Sequence, residues 1–146
     1  MKRATSQHNG RSPALTVDAV VIADREIVLI KRQKGPFQAR WALPGGFVEY
    51  GETVDAAVRR EVAEETGLRI ELKSLIGVYS DPYRDPRGHV VSIAFLAETN
   101  SGTLSGGSDA SEARLWPLTA LPALAFDHAR IISDALKLMG APSRLA

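Results

Sequence analysis

Three glutamates crowd one short stretch, AVRREVAEETGL, at positions 61, 64 and 65. On a helix turning by about 100° per residue, Glu61, Glu64 and Glu65 fall within an arc of about 100°, so their carboxylates share one side. For a bare helix this arrangement is unfavourable. Glu61 and Glu65 form an i,i+4 like-charge pair, which costs on the order of 0.3 kcal/mol. Carboxylates toward a helix C-terminus also oppose the macrodipole. A hard divalent cation removes the conflict, because carboxylate oxygens are the ligands that Mg²⁺ or Mn²⁺ takes. A cation held there could polarise a phosphoryl oxygen and lower the pKa of a bound water.

The neighbouring residues suit that chemistry. Arg60 can pair with Glu64 one turn on, steadying one carboxylate. Glu52 lies just before the helix and can reach its first-turn amides or Arg60, locking the loop. Gly45 and Gly46 let the backbone approach closely, so a carbonyl there could add a ligand. Clustered Glu and Arg on a helix is by itself more often a solvated face, and the spacing of the wider segment has to decide.

The elements around the cluster follow from pattern. Thr53 is a fair N-cap for a helix running to about residue 66, with Gly67 as its stop. Upstream, the β-branched run at 14–23 reads as a strand, and 26–32 as its antiparallel neighbour across an Asp24-Arg25 turn. Short strand pieces broken by glycine follow at 41–51. Downstream, strands are expected at 68–80, 89–98 and near 113–116, with loops at 81–88 and 99–111. Asp127 can cap a last helix to about residue 139, whose Ile131, Ile132, Ala135, Leu136 and Met139 make an apolar face. Strands flanking one central helix, with a second helix at the end, imply an α/β fold in which helices cover both faces of a mixed sheet.

Composition sets the outer bounds. The chain has 146 residues, 45% of them hydrophobic and 24% charged, which suits one soluble globular domain. We expect that domain at 14–140, a flexible tail at 1–13 and a short tail at 141–146. With 18 basic and 17 acidic residues the formal net charge is +1. No strong basic field exists to attract nucleic acid or an anionic membrane, so neither is expected as a partner. There is no cysteine, which excludes disulfides, thiolate nucleophiles and Cys-based zinc sites. The first residues carry no apolar stretch of a secretory signal, no window could span a bilayer, and the cytoplasm is the expected location.

Read from Gly46, the spacing settles the glutamates. Gly46, Glu52, Arg60, Glu61, Glu64, Glu65 and Gly67 occupy all the fixed positions of GX5EX7REUXEEXGU, and Val62 and Leu68 fill its aliphatic places. At ordinary residue frequencies that coincidence falls below ~10⁻⁸ per start position. The chain thereby resembles the Nudix hydrolases, from about residue 14 to residue 138. The resemblance implies an α/β/α sandwich with a mixed central sheet, and attack of water on a nucleoside diphosphate linked to another group. It implies Mg²⁺ or Mn²⁺ as cofactor, with Gly45, Glu61, Glu64 and Glu65 as metal ligands. Glu52 and Arg60 would orient the helix and its carboxylates. The general base is left open between a glutamate of the signature and a loop acid, for which Asp109 and Glu112 stand at the right distance.

Substrate identity lies outside the signature. Pro82 follows Gly67 by 15 residues, and the segments at 47–52, 79–92 and 124–129 are similar to those of prokaryotic ADP-ribose pyrophosphatases. The resemblance therefore implies a small-molecule nucleotide substrate, ADP-ribose, cleaved to AMP and ribose 5-phosphate by a homodimer. Arg84 and Arg87 could hold phosphate or ribose oxygens, and Tyr83 could stack on a base, with Phe47 beside them. The alternative for 79–92 is a proline-ordered turn carrying solvated arginines. Ala39 departs from the glycine usual in relatives. Trp41 is as well suited to core packing as to ligand contact, and His128 reads as a helix-start or packing histidine. Competing functions are another Nudix specificity (an oxidised nucleoside triphosphate, a dinucleotide polyphosphate or NADH) or a non-catalytic ADP-ribose-sensing module.

Overall fold

The computed structural model describes residues 11–107 and 110–145. Seven strands form one mixed sheet. β1 (Ala14–Ala23) and β2 (Glu26–Arg32) make the expected antiparallel pair, with Ile22 opposite Ile27. β3 (Trp41–Ala42) extends the sheet beyond β2, and β4 (Gly45–Phe47) pairs with β1. β5 (Leu68–Tyr79) and β6 (Val90–Gly102) are antiparallel, and β6 joins β1 in parallel, which makes the sheet mixed. β7 (Ala110–Pro117) pairs with β2. The order is β3-β2-β1-β6-β5.

Two helices cover the two faces. Along β1 the side chains alternate, as a strand requires. Val17, Ala19 and Val21 pack against Ala57, Val58 and Val62 of α1 (Val54–Thr66). Val20 and Ile22 face Ile131, Ile132 and Ala135 of α2 (His128–Leu145). These are the α/β/α layers expected from the sequence. Each fully buried aliphatic side chain contributes roughly 1.5–3 kcal/mol over an exposed one, so α1 is fixed by its apolar face despite the repulsion among its glutamates.

Three boundaries differ from the sequence reading. β6 continues to Gly102, into the segment expected as loop, because Leu68 and Arg69 still offer ladder partners to Gly102 and Ser101. Backbone pairing does not need the apolar side chains that marked the strand's core. β7 is longer for the same reason, running beside β2 from Ala110. α2 runs on to Leu145 rather than ending near residue 139, so 141–145, expected as a tail, continue the helix.

Candidate active site

α1 starts where Thr53 accepts a hydrogen bond from the Ala56 amide at 3.1 Å, and stops at Gly67, whose φ of 77° is left-handed. Glycine tolerates that conformation without strain. A Cβ there would also lie 2.5 Å from the Thr103 carbonyl oxygen. Between these ends the helix turns Glu61 and Glu65 toward β4. The Gly45 amide donates to Glu65 Oε1 at 2.8 Å, and a Cβ on Gly46 would fall 2.5–2.7 Å from the carboxylate atoms of Glu61. The two glycines thus let a strand lie directly on two carboxylates.

Arg60 gathers the remaining acids. Its guanidinium donates to Glu52 at 2.7 and 2.9 Å, to Glu61 at 2.9 Å, to Glu64 at 3.3 Å and to the Phe47 carbonyl at 3.1 Å. Hydrogen bonding to Arg60 holds the Glu52 carboxyl down at about 2, helped by the Glu49 amide. Glu52 is therefore a fixed anchor. Glu65 is only 8% exposed, and burial pushes its carboxyl up to about 8, against the pull of the Gly45 amide and with a further push from Glu61 and Asp18. Burial also raises Glu61, which Arg60 offsets in part. Desolvation thus drives up both carboxyls, one buried and one part-buried, although Arg60 lies on Glu61 and the charge of Arg32 pulls on Glu65.

They open onto a cleft of about 410 Å³. Its lining includes Glu61, Glu65, Gly45, Gly46 and Asp18 together with Arg32, Lys34, Arg87, Phe47 and Phe126. Basic and aromatic groups sharing a cleft with carboxylates suit an anion that bridges to those carboxylates through a cation. Among the described residues no three acids or imidazoles converge into a ready-made cage. That is compatible with Mg²⁺ or Mn²⁺ chemistry, since such ions are commonly held by one or two carboxylates with waters and substrate phosphates. Glu61 and Glu65 are the cleft carboxylates that could hold one.

The expected site residues fall in different places. Gly45, Glu61, Glu65, Arg84, Arg87 and Phe47 all line the cleft. Arg60 and Glu52 support its rim. Glu64 is exposed on the helix and outside the lining, with Arg60 3.3 Å away. Arg84 is committed elsewhere: its guanidinium is bidentate to Asp127 at 2.6 and 2.8 Å, and its side chain is 5% exposed. Arg87 is held by Asp85 and lies 5.3 Å from the Phe47 ring centroid and 5.7 Å from that of Phe126. Tyr83 is 91% exposed and does not line the cleft. Glu112 is exposed on β7 and 3.8 Å from Arg114, also outside the lining. Asp109 lies outside the described residues.

Other residues had gone unnoticed in the sequence. Asp18 and Ser92 are buried side by side on β1 and β6, with Ser92 Oγ donating to Asp18 Oδ2 at 2.5 Å. The signal was available: Asp18 is the single charge in ALTVDAVVIA, on the face of Val20 and Ile22. His128, read as a helix-start or packing residue, is the first residue of α2 and lines the cleft. Trp41 packs edge-on against Trp116 with ring centroids 5.1 Å apart and does not line the cleft. Ala39 has a φ of 68°, the left-handed conformation that glycine takes without strain.

Buried carboxylates that call for a cation, opening on an arginine-bearing cleft, are the equipment of a metal-assisted hydrolase of phosphoanhydrides. A NUDIX domain model matches residues 12–135, and the chain belongs to the Nudix hydrolase family. It is 55% identical over 125 residues to an ADP-ribose pyrophosphatase of Methanocaldococcus jannaschii, covering 86% of this chain and 74% of that one. Its fold matches the NUDIX domain of Shewanella oneidensis NrtR, solved in complex with ADP ribose. The TM-score is 0.78 at 28% identity, over 95% of this chain and 99% of that one. It also matches a bifunctional NMN adenylyltransferase/ADP ribose pyrophosphatase of Francisella tularensis, solved with AMP and a manganese ion. There the TM-score is 0.77 at 28% identity, and the match covers 90% of this chain but 43% of that one. No helix among the described residues is long and apolar enough to cross a membrane.

Proposed function

We propose that this Nudix pyrophosphohydrolase cleaves ADP-ribose to AMP and ribose 5-phosphate with Mg²⁺ or Mn²⁺. The observation that carries the reading is the Glu61–Glu65 pair lying against the Gly45–Gly46 strand in a cleft that basic and aromatic side chains also line. The identity with the archaeal ADP-ribose pyrophosphatase supports the choice of substrate.

When bound, the cation would neutralise phosphoryl charge and make a bound water more acidic. The chain supplies the rest. Glu61 and Glu65 would hold the cation, with the Gly45 carbonyl and Glu64 as further ligands. Arg60, anchored by Glu52, keeps Glu61 and Glu64 at the face of the helix. Arg87 and Phe47 contact the substrate beyond the reacting phosphates. Arg84 acts on the substrate side only by fixing the loop that presents Arg87. The same reading makes the enzyme cytoplasmic and homodimeric, in keeping with the exposed Leu75 and Val78 on the edge strand β5.

The test is a turnover panel with Mg²⁺ and with Mn²⁺, comparing kcat/KM for ADP-ribose, NADH, diadenosine polyphosphates and 8-oxo-dGTP. Preference for ADP-ribose with release of AMP and ribose 5-phosphate is expected. Preference for another compound leaves the hydrolase and overturns the substrate. Likeness to the NrtR domain favours one second reading, a sensor: ADP-ribose would then bind with no turnover under either cation.

A further inference from the structure

His128 is 4% exposed at the start of α2. Its Nδ1 receives the Leu43 amide at 3.0 Å. A backbone N–H can only donate, so Nδ1 carries a lone pair, and the proton of the neutral ring sits on Nε2. Burial favours that neutral state. Nε2 faces Asp18 Oδ1 at 3.6 Å, too long for a hydrogen bond but oriented by the charge, and Asp18 is in turn clamped by Ser92.

The Leu43–Pro44–Gly45 segment is therefore tied down residue by residue. Leu43 is held by α2 through His128. Pro44 has no amide proton, and its carbonyl receives the Ala19 amide at 2.9 Å. Gly45 lies opposite Asp18 in the β1–β4 ladder and gives its own amide to Glu65. A Cβ at Gly45 would come within 2.1 Å of the Val17 carbonyl oxygen and 2.7 Å of Asp18 Oδ1, so the fit leaves no slack.

We infer that His128 is a positioning residue, which with Asp18 and Ser92 sets the Gly45 backbone and hence the Glu65 carboxylate from the opposite face of the sheet. It acts without contributing a proton or a ligand. The inference rests on the reading of Gly45 and Glu65 as the cation-binding pair, and its test separates the two ideas.

Three variants suffice. His128→Ala removes the acceptor, His128→Asn can return an oxygen near the place of Nδ1, and Ser92→Ala loosens Asp18 without touching the loop. The first readout is amide hydrogen exchange at Leu43 and Gly45 in the substrate-free protein. The second is Mn²⁺ affinity from electron paramagnetic resonance, and the third is kcat and KM for ADP-ribose. In His128→Ala, both amides should exchange faster, Mn²⁺ affinity should fall by about tenfold or more, and kcat should fall with KM little changed. His128→Asn should recover most of all three, and Ser92→Ala should shift them in the same direction by less. A folded His128→Ala protein with an undisturbed Gly45 amide overturns the proposal. So does a His128→Asn protein as impaired as His128→Ala, because the imidazole itself would then be what matters. If His128→Ala does not fold, an undisturbed Gly45 amide in Ser92→Ala overturns it. A Gly45 amide that loosens as expected, in a wild-type protein that binds no Mn²⁺, removes the cation reading and leaves the positioning role standing.

Discussion

The amide of Gly45 donates to Oε1 of Glu65 at 2.8 Å, so the strand that floors the cleft is fastened to the helix that bears its acids. One oxygen of Glu65 is thereby fixed, and the residue lines the cleft. Loss of the carboxylate should cost catalysis and little structure. Glu65→Gln keeps an acceptor for the Gly45 amide, and we expect kcat to fall by about 10³-fold or more with the fold intact. Circular dichroism and steady-state rates check this; full turnover would remove Glu65 from the chemistry.

The raised pKa of Glu65 has a sign that can be followed. An acid whose pKa moves from an ordinary 4.5 to about 8 takes up a proton on folding. Cation-free protein should then lose stability as pH climbs between those values, by at most about 1.4 kcal/mol per unit. Binding of a divalent cation must displace that proton. Calorimetric titrations of Mn²⁺ near neutral pH, in buffers of different ionisation enthalpy, should show release of close to one proton or more, and Glu65→Gln should release clearly less.

Neighbouring glycines should fail differently. At Gly46 an added methyl meets the end of the Glu61 side chain, which can swing away. Gly46→Ala should fold, with a penalty of about 1–3 kcal/mol, and lose most activity because Glu61 is displaced. At Gly45 the methyl meets backbone, the Val17 carbonyl, which cannot yield. Gly45→Ala should give little soluble protein. Expression yield and thermal melts distinguish the two.

Arg60 serves acceptors on four residues, Glu52, Glu61, Glu64 and Phe47, with one planar group, a task a lysine ammonium cannot reproduce. Arg60→Lys should therefore behave much like Arg60→Ala, each lowering stability by roughly 1–3 kcal/mol and activity by orders of magnitude. A lysine variant with near wild-type kcat would mean that charge alone is needed.

Glu112 is exposed, beside Arg114 and away from the cleft lining. Glu112→Gln should leave kcat and its pH profile unchanged, whereas Asp109→Asn should cost orders of magnitude if the loop acid is the base. Unchanged rates in both would return water activation to a glutamate of α1.

Much of this could be read from sequence because it was local. Capping chemistry marked the helix start at Thr53, and the signature marked its stop at Gly67 and the side on which Glu61 and Glu65 lie. The β-branched run of β1 foretold a strand, and the order of the elements foretold a sheet covered on both faces. What could not be read was which distant groups meet. Asp18 and Ser92 are 74 positions apart and touch only because β1 and β6 run parallel. Arg84 looked like a ligand for phosphate because Asp127, 43 positions away, is invisible as its partner until α2 is folded back. The ends of β6 and α2 were misjudged because hydrophobic patterning reports burial, while backbone hydrogen bonds continue past it.

The Arg84–Asp127 pair also bears on how specificity could be exchanged between relatives. Transplanting the 81–88 loop alone would be expected to leave a half-buried aspartate at the head of α2 without its counterion, a change of the kind that costs about 3–5 kcal/mol. Loop and helix start are a single heritable unit here. A chimera should carry residues 81–88 and 127 together, or neither.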